Sequence, residues 1–292
     1  MNVLVTGANG QLGTELRLCS AGSGHDFIFT DVTDIQGVET VHLDITDADA
    51  VRAVCDSESV DLIVNCAAYT NVDAAEDDEA TADLLNRIAP SNLAQVAAGR
   101  NIPLIHISTD YVFPGEASSP LKETDRPGPV SAYGRTKLAG ELAVAASGCG
   151  YIIIRTAWLY SPFGRNFVKT MGRLFETHDS VNVVVDQVGS PTYAHDLAAA
   201  IMHIIETGQT GRSGIYHFSD EGAISWYDFA EAILELKGGD CRISPCLSSE
   251  FPSKVSRPHY SVLDKSLFKD TFGFDIPYWR DSLKDCIQRL WK

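Results

Sequence analysis

Six short and almost continuously apolar runs set the first constraint on how this chain can fold. They are "NVLVTG" (2–7), "DFIFTD" (26–31), "VHLDI" (41–45), "DLIVNCAA" (61–68), "PLIHIST" (103–109) and "YIIIRTAWLY" (151–160). Stretches of helical character separate them, at 11–20, 47–57, about 79–99 and 134–147. A strand with one wet face alternates apolar and polar residues, so runs without alternation need cover on both faces. Strand–helix alternation of this kind predicts an α/β chain built on a doubly wound parallel sheet. After about residue 160 the rhythm changes. Helices are expected at 167–177, 195–208 and 225–238, the last capped by Ser225, with strands at 181–186 and 214–219, a Pro- and Ser-rich stretch over 244–258 and a terminal helix. The expected division is a sheet domain over 1–160, to which 186–222 returns, and a smaller α/β lobe from 161–185 and 223–292.

Charge and cysteines narrow the classes of function. With 23 basic and 39 acidic residues the formal charge is −16, so the surface as a whole repels a phosphate backbone and no nucleic-acid partner is expected. No apolar run approaches the roughly 20 residues of a membrane helix, and Met1 leads straight into the first strand without a basic flank or cleavage site. A cytoplasmic protein with no membrane partner is expected. The seven cysteines include no Cys-x-x-Cys and no accompanying paired histidines, so they are read as reduced, mostly buried thiols and no metal is expected.

The stretch "TGANGQLGTEL" (6–16) places Gly7, Gly10 and Gly13 three apart, straight after the first strand and at the start of the first helix. Gly7 lets the chain turn, Gly10 lets the backbone approach a pyrophosphate, and Gly13 lets the helix pack close on the sheet. Asn9, Gln11 and Leu12 complete the loop, which identifies the sheet as a Rossmann-type dinucleotide-binding domain. Asp31, at the end of the second strand, can accept hydrogen bonds from an adenosine ribose. No Arg or Lys stands in the positions just after it, which favours NADH over NADPH, although Arg17 lies close in sequence and both cofactors stay open. Asp44 and Ile45 suit the adenine edge, with a helix cap as the equal alternative for Asp44. Ala67 and Ala68, with Tyr69, follow the fourth strand, where small residues let a cofactor lie against the sheet edge.

"HISTDYVFPG" (106–115) ends the fifth strand in hydroxyls, and "SAYGRTKLAGE" (131–141) follows it with Tyr133 and Lys137 one helical turn apart. Reduction of a ketone by a nicotinamide requires a proton donor for the developing alkoxide, a charge that makes the donor more acidic, and a second hydrogen bond to the oxygen. Tyr133 suits the first task, Lys137 the second together with the nicotinamide ribose, and Thr109 the third. Ser108 points to the other face of the strand.

The Gly-x-x-Gly-x-x-Gly spacing resembles that of the extended short-chain dehydrogenases/reductases. "STDYVFPG", "YGRTKLAGE", "RTAWLY", "DQVGSPT", "WYDFA" and "RPHYSVLD" together resemble the dTDP-4-dehydrorhamnose reductase family, from residue 1 to about 290. That likeness implies transfer of hydride from NADH or NADPH to the C4 ketone of a dTDP-linked 6-deoxy-4-keto-hexose. It assigns catalysis to Thr109, Tyr133 and Lys137. It places Thr70, Val72, Asp73, Tyr111 and Trp158 at the sugar pocket and Asn166 and Arg257 on the nucleotide-sugar side. Related dehydratases carry an acidic pair after the threonine, whereas here Asp110 is followed by Tyr111. A dinucleotide-binding regulatory subunit resembling the β subunit of methionine adenosyltransferase, or another nucleotide-sugar 4-ketoreductase or epimerase, remains the alternative. Monomer and homodimer are equally open, and the ending "CIQRLWK" lacks the carboxylates of a metal-linked dimer.

Overall fold

The computed structural model describes residues 1–251 and 253–291. The chain begins β1 (Asn2–Thr6), α1 (Gln11–Cys19), β2 (Asp26–Asp31), β3 (Val41–His42), α2 (Ala48–Ser57) and β4 (Leu62–Asn65). It continues with α3 (Val72–Ala75), α4 (Glu79–Asp83), α5 (Ala89–Arg100), β5 (Leu104–Thr109), α6 (Ala132–Ala146) and β6 (Tyr151–Thr156). Next come β7 (Leu159–Tyr160), α7 (Phe167–Thr177), β8 (Ser180–Val184), β9 (Val188–Gly189), β10 (Thr192–Tyr193), α8 (Ala194–Glu206) and β11 (Gly214–His217). The carboxyl-terminal part holds β12 (Ile224–Ser225), α9 (Trp226–Lys237), β13 (Arg242–Cys246), α10 (Ser266–Phe272) and α11 (Trp279–Leu290). No helix among the described residues is long and apolar enough to cross a membrane.

Seven strands form one parallel sheet in the order β11-β6-β5-β4-β1-β2-β3. The apolar runs divide by parity. Val3, Val5, Leu62, Val64, Ile105, Ile152 and Ile154 pack on one side with Leu12, Leu16, Leu197 and Ile201 of α1 and α8. Leu4, Ile63, Leu104 and Ile153 point the other way, onto Val51, Leu93, Val96 and Val144 of α2, α5 and α6. Each run is apolar at successive positions because its two faces meet two different helical layers. This is a Rossmann-type doubly wound fold.

The crossovers run outward from the centre, β1 to β2 and β3 on one side, β4 to β5 and β6 on the other. The β1/β4 boundary is therefore the switch point at whose carboxyl edge a crevice opens. β11 joins the main sheet beside β6, and α8 packs on its core. Phe268, Phe272 and Ile276 also pack on that core, although 266–276 falls within the stretch expected in the second lobe. A separate cluster, with Val168, Met171, Phe229, Ile233, Leu283 and Ile287 from α7, α9 and α11, forms the second lobe around Tyr160 and Tyr193.

The helix expected over 79–99 is not continuous. Between α4 and α5, residues Leu84–Ile88 form a π-helical turn. In a regular helix the ring of Pro90 would press on the carbonyl of Asn86 four residues earlier. The wider turn lets that carbonyl face Gly140 of α6, where no side chain intervenes. The Asn86 side chain then bonds the backbone of Tyr69 on both its N–H (2.9 Å) and its carbonyl (3.1 Å), and the hydroxyl of Thr136 (3.1 Å). One irregular turn thus ties the loop after β4 to α6.

Candidate active site

At the crevice, Gly7 adopts φ +65°, and a Cβ on it would stand 2.6 Å from the Ala67 nitrogen. A Cβ on Gly13 would stand 2.5 Å from the Ala8 Cα. These two glycines set the close approach of the loop to β4 and of α1 to the loop. Gly10 is different, with only the Gly7 carbonyl near its missing Cβ, at 3.2 Å. It leaves the start of α1 without a side-chain cap, whereas α2, α6 and α9 are capped by Asp47, Ser131 and Ser225. Uncapped first-turn N–H groups are donors for an anion.

A cavity of about 680 Å³ runs along this edge. Gly7, Gly10, Gln11 and Leu12 line it beside Asp31, Asp44 and Ile45; Ala67, Ala68, Thr70 and Val72 follow, and Thr109, Tyr111, Tyr133, Lys137 and Trp158 close the series. A crevice of this size, with small residues where a backbone must approach and uncapped N–H donors at its floor, fits a dinucleotide. The Asp31 carboxylate accepts from the Asn9 N–H (3.0 Å) and from the Thr33 N–H (3.0 Å) and hydroxyl (2.8 Å), which holds it at the strand end. Arg17 is occupied elsewhere. Its guanidinium lies 4.1 Å over the Phe29 ring and donates to the Glu39 carbonyl at 2.8 Å. Asp44 accepts from the Thr46 N–H and hydroxyl in a local turn, and the cap of α2 is Asp47 instead.

The chemistry-bearing end is built where β5 stops. The Thr109 hydroxyl accepts from the Tyr111 N–H at 3.2 Å and donates to Asp110 at 3.0 Å, and Tyr133 lines the same cavity. Ser131 caps α6 by accepting from the Gly134 N–H at 3.1 Å, and Gly134 lets the helix start lie against the Tyr111 carbonyl. Tyr111 sets its ring edge against Tyr133, with centroids 5.5 Å apart. Burial pushes the Tyr133 phenol up to about 12, against the lowering effect of Thr109, with buried Asp110 raising it further. Burial likewise lifts Asp110 to about 6. Lys137 is pushed down to about 8 by burial, opposed by Glu141, and its ammonium donates to the Ile107 carbonyl at 2.7 Å. The lysine is thus turned to β5 rather than to the phenol, and the groups acting on Tyr133 here are burial, Thr109 and Asp110.

Some expected residues lie outside the cavity wall. Asn9 bonds the Thr33 carbonyl with its side chain, Gly13 packs on Ala8, and Tyr69 is held through its backbone by Asn86. Asp73 and Arg257 form an ion pair at 3.0 Å. The Asn166 side chain caps α7 through the Lys169 N–H (3.0 Å) and donates to Gln11 (2.8 Å) and to the Ser161 carbonyl (2.7 Å). Its polar atoms are spent on joining the second lobe to the glycine loop.

Sequence reasoning missed two parts of the site. Trp226 lines the cavity and stacks on Trp158, centroids 3.6 Å apart and planes 11° apart. Trp158 takes φ +49°, a left-handed conformation uncommon for a large side chain. Its indole fits because Gly189 lacks a Cβ, which would stand 2.7 Å from the ring. Behind the site, Arg155 forms a bidentate pair with Glu141, both side chains 2% exposed, at 2.9 and 2.7 Å. Ser108 donates to the same carboxylate at 2.5 Å. A charged pair fourteen residues apart leaves no periodic mark in a sequence.

A crevice of dinucleotide length that ends at a tyrosine and a lysine on one helix sets the short-chain dehydrogenases/reductases apart from other doubly wound proteins. Comparison with known proteins narrows that class. The model of the family described as RmlD substrate binding domain matches residues 1–291, and the chain belongs to that family. A dTDP-4-dehydrorhamnose reductase from Sinorhizobium fredii is 38% identical over 298 residues, covering 99% of this chain and 98% of the relative. The crystal structure of a dTDP-4-dehydrorhamnose reductase from Clostridium acetobutylicum superposes with a TM-score of 0.93, at 43% identity and covering 100% of both chains. That of the dTDP-4-dehydrorhamnose reductase from Bacillus anthracis in complex with NADP gives 0.91, at 35% identity and covering 99% of each.

Proposed function

We propose that this protein reduces the C4 ketone of dTDP-4-dehydro-L-rhamnose to dTDP-L-rhamnose, with NADH or NADPH as reductant. The observation that carries the reading is that Thr109, Tyr133 and Lys137 line one cavity with the glycine loop. The reduced nicotinamide supplies hydride to the carbonyl carbon.

As negative charge grows on the C4 oxygen, Tyr133 gives it a proton and Thr109 holds it by a hydrogen bond. A phenol held near 12 stays protonated at neutral pH, so the donor is in its acid form when the ketone arrives. Lys137 places a positive charge in the same cavity, which lowers the cost of the phenolate left behind. Its partner in the resting protein, the Ile107 carbonyl, keeps the ammonium at the strand end.

Tyr111 and Trp158 offer ring faces to the hexose beside Thr70 and Val72, and the Asp73–Arg257 pair stands on the nucleotide-sugar side. Asp31 suits the two hydroxyls of an unphosphorylated ribose, and Arg17 is committed to Phe29 and Glu39, which supports a preference for NADH. Seven free cysteines suit the reducing cytoplasm.

The test is oxidation of NADH and of NADPH by the purified protein with the dTDP-4-keto-6-deoxy-hexose. Turnover that falls by roughly 10²–10⁴ in Tyr133→Phe is expected, the usual worth of a general acid. No turnover with either cofactor would sink the reading.

A further inference from the structure

Resting on that reading, we propose that Arg165 is the side-chain cation of the cofactor's pyrophosphate site, completing a glycine loop that has only backbone donors. Two basic residues line the main cavity, Lys137 and Arg165, against Asp31, Asp44 and Asp110. Lys137 is committed to the Ile107 carbonyl. Arg165 is exposed, and among the described residues its guanidinium makes no ion pair or hydrogen bond within the protein.

Its position is nevertheless fixed by what surrounds it. Gln11, the first residue of α1, accepts from the Ser161 hydroxyl at 3.1 Å and from the Asn166 amide at 2.8 Å. Gly164, at φ +62°, lies so close that a Cβ would stand 2.9 Å from the Gln11 Cγ. The 161–166 loop of the second lobe is thereby clamped to the residue whose N–H opens the phosphate cradle. Arg165 follows Gly164 directly, so a flexible cationic side chain starts beside the uncapped end of α1. In a chain of charge −16, a ligand that brings at least two negative charges into a cavity with three carboxylates needs such a counter-charge. A guanidinium can meet two phosphate oxygens at once, a fit that lysine's single ammonium does not reproduce.

The experiment is calorimetric titration of the wild type, Arg165→Ala and Arg165→Lys with NADH and NADPH, and separately with dTDP, at low and at high salt. Arg165→Ala is expected to weaken dinucleotide binding about tenfold at low salt, the order of one charge-assisted contact. Arg165→Lys should recover part of that, dTDP affinity should stay unchanged, and the difference between wild type and Arg165→Ala should shrink at high salt. Equal dinucleotide affinity in wild type and Arg165→Ala overturns the proposal, as does a loss confined to dTDP. A wild type that binds neither dinucleotide overturns the functional reading beneath it, which separates the two failures.

Discussion

Lys137 lies one helical turn beyond Tyr133 on α6, yet its ammonium bonds the Ile107 carbonyl of β5 at 2.7 Å, so the strand holds the charge. Burial holds the lysine near 8 in the folded chain, below its usual 10.5. Between those values the unfolded chain binds the extra proton, so this group makes stability rise with pH from about 8 to 10.5 and leaves the fold weakest below 8. Lys137→Met is expected to raise the melting temperature at pH 7 while abolishing turnover, with the gain shrinking from about pH 8 to pH 10.5. Thermal scans at several pH values check this, and equal melting temperatures throughout would refute it.

The Glu141–Arg155 pair is buried behind the strand end, so removing one partner strands a charge. Glu141→Ala is expected to destabilise the protein by about 3–5 kcal/mol in denaturant titration, whereas Glu141→Leu with Arg155→Met costs less than that single change. A double variant as weak as the sum of its singles would contradict the argument.

Trp158 occupies the space left by Gly189. Gly189→Ala would drive its new methyl into the indole and shift the ring off Trp226. The expected result is a raised KM for the nucleotide sugar with dinucleotide affinity unchanged, read by steady-state kinetics and cofactor titration. Loss of dinucleotide affinity as well would show that the indole pair does more than shape the sugar pocket.

His195 of α8 faces the buried Glu15 of α1 at 3.2 Å, alongside Arg289 of α11 at 3.0 Å and Cys19 at 3.5 Å. The Cys19 and Glu15 hydrogen bonds raise His195 from 6.5 to about 10, with burial working against them. The folded chain holds the proton more tightly, so the stabilisation is complete below about 6.5 and is lost as pH rises through about 10. With a half-exposed ring the effect is modest, and it opposes that of Lys137 in the overlapping window. The measurement is therefore the difference in stability between wild type and His195→Gln, expected to narrow steadily from pH 6.5 to 10. A constant difference would remove His195 from the account.

The strands and the glycine loop were legible in the sequence because each leaves a local mark: short, almost unbroken apolar runs for strands covered on both faces, and glycines three apart where the chain turns into the first helix. Ser108 and Thr109 were separable because adjacent strand residues face opposite sides. The π-turn at Leu84–Ile88 was not legible. Pro90 marks the strain, but relief depends on Gly140, fifty residues away. Asn166 was placed on the nucleotide-sugar side by likeness, and its bonds to Gln11 and Ser161 form only when the second lobe meets the glycine loop.

By itself, then, the sequence determined the strand–helix alternation of a doubly wound sheet, a glycine loop between β1 and α1 and a tyrosine–lysine pair one turn apart on α6, each read from a short stretch of chain. The tertiary structure decided which charges are buried and what they face: Lys137 on β5, Glu141 on Arg155, Trp158 on Trp226. Burial and partner choice belong to pairs of segments far apart in the chain, and a pKa or a ring's orientation exists only once those segments have met.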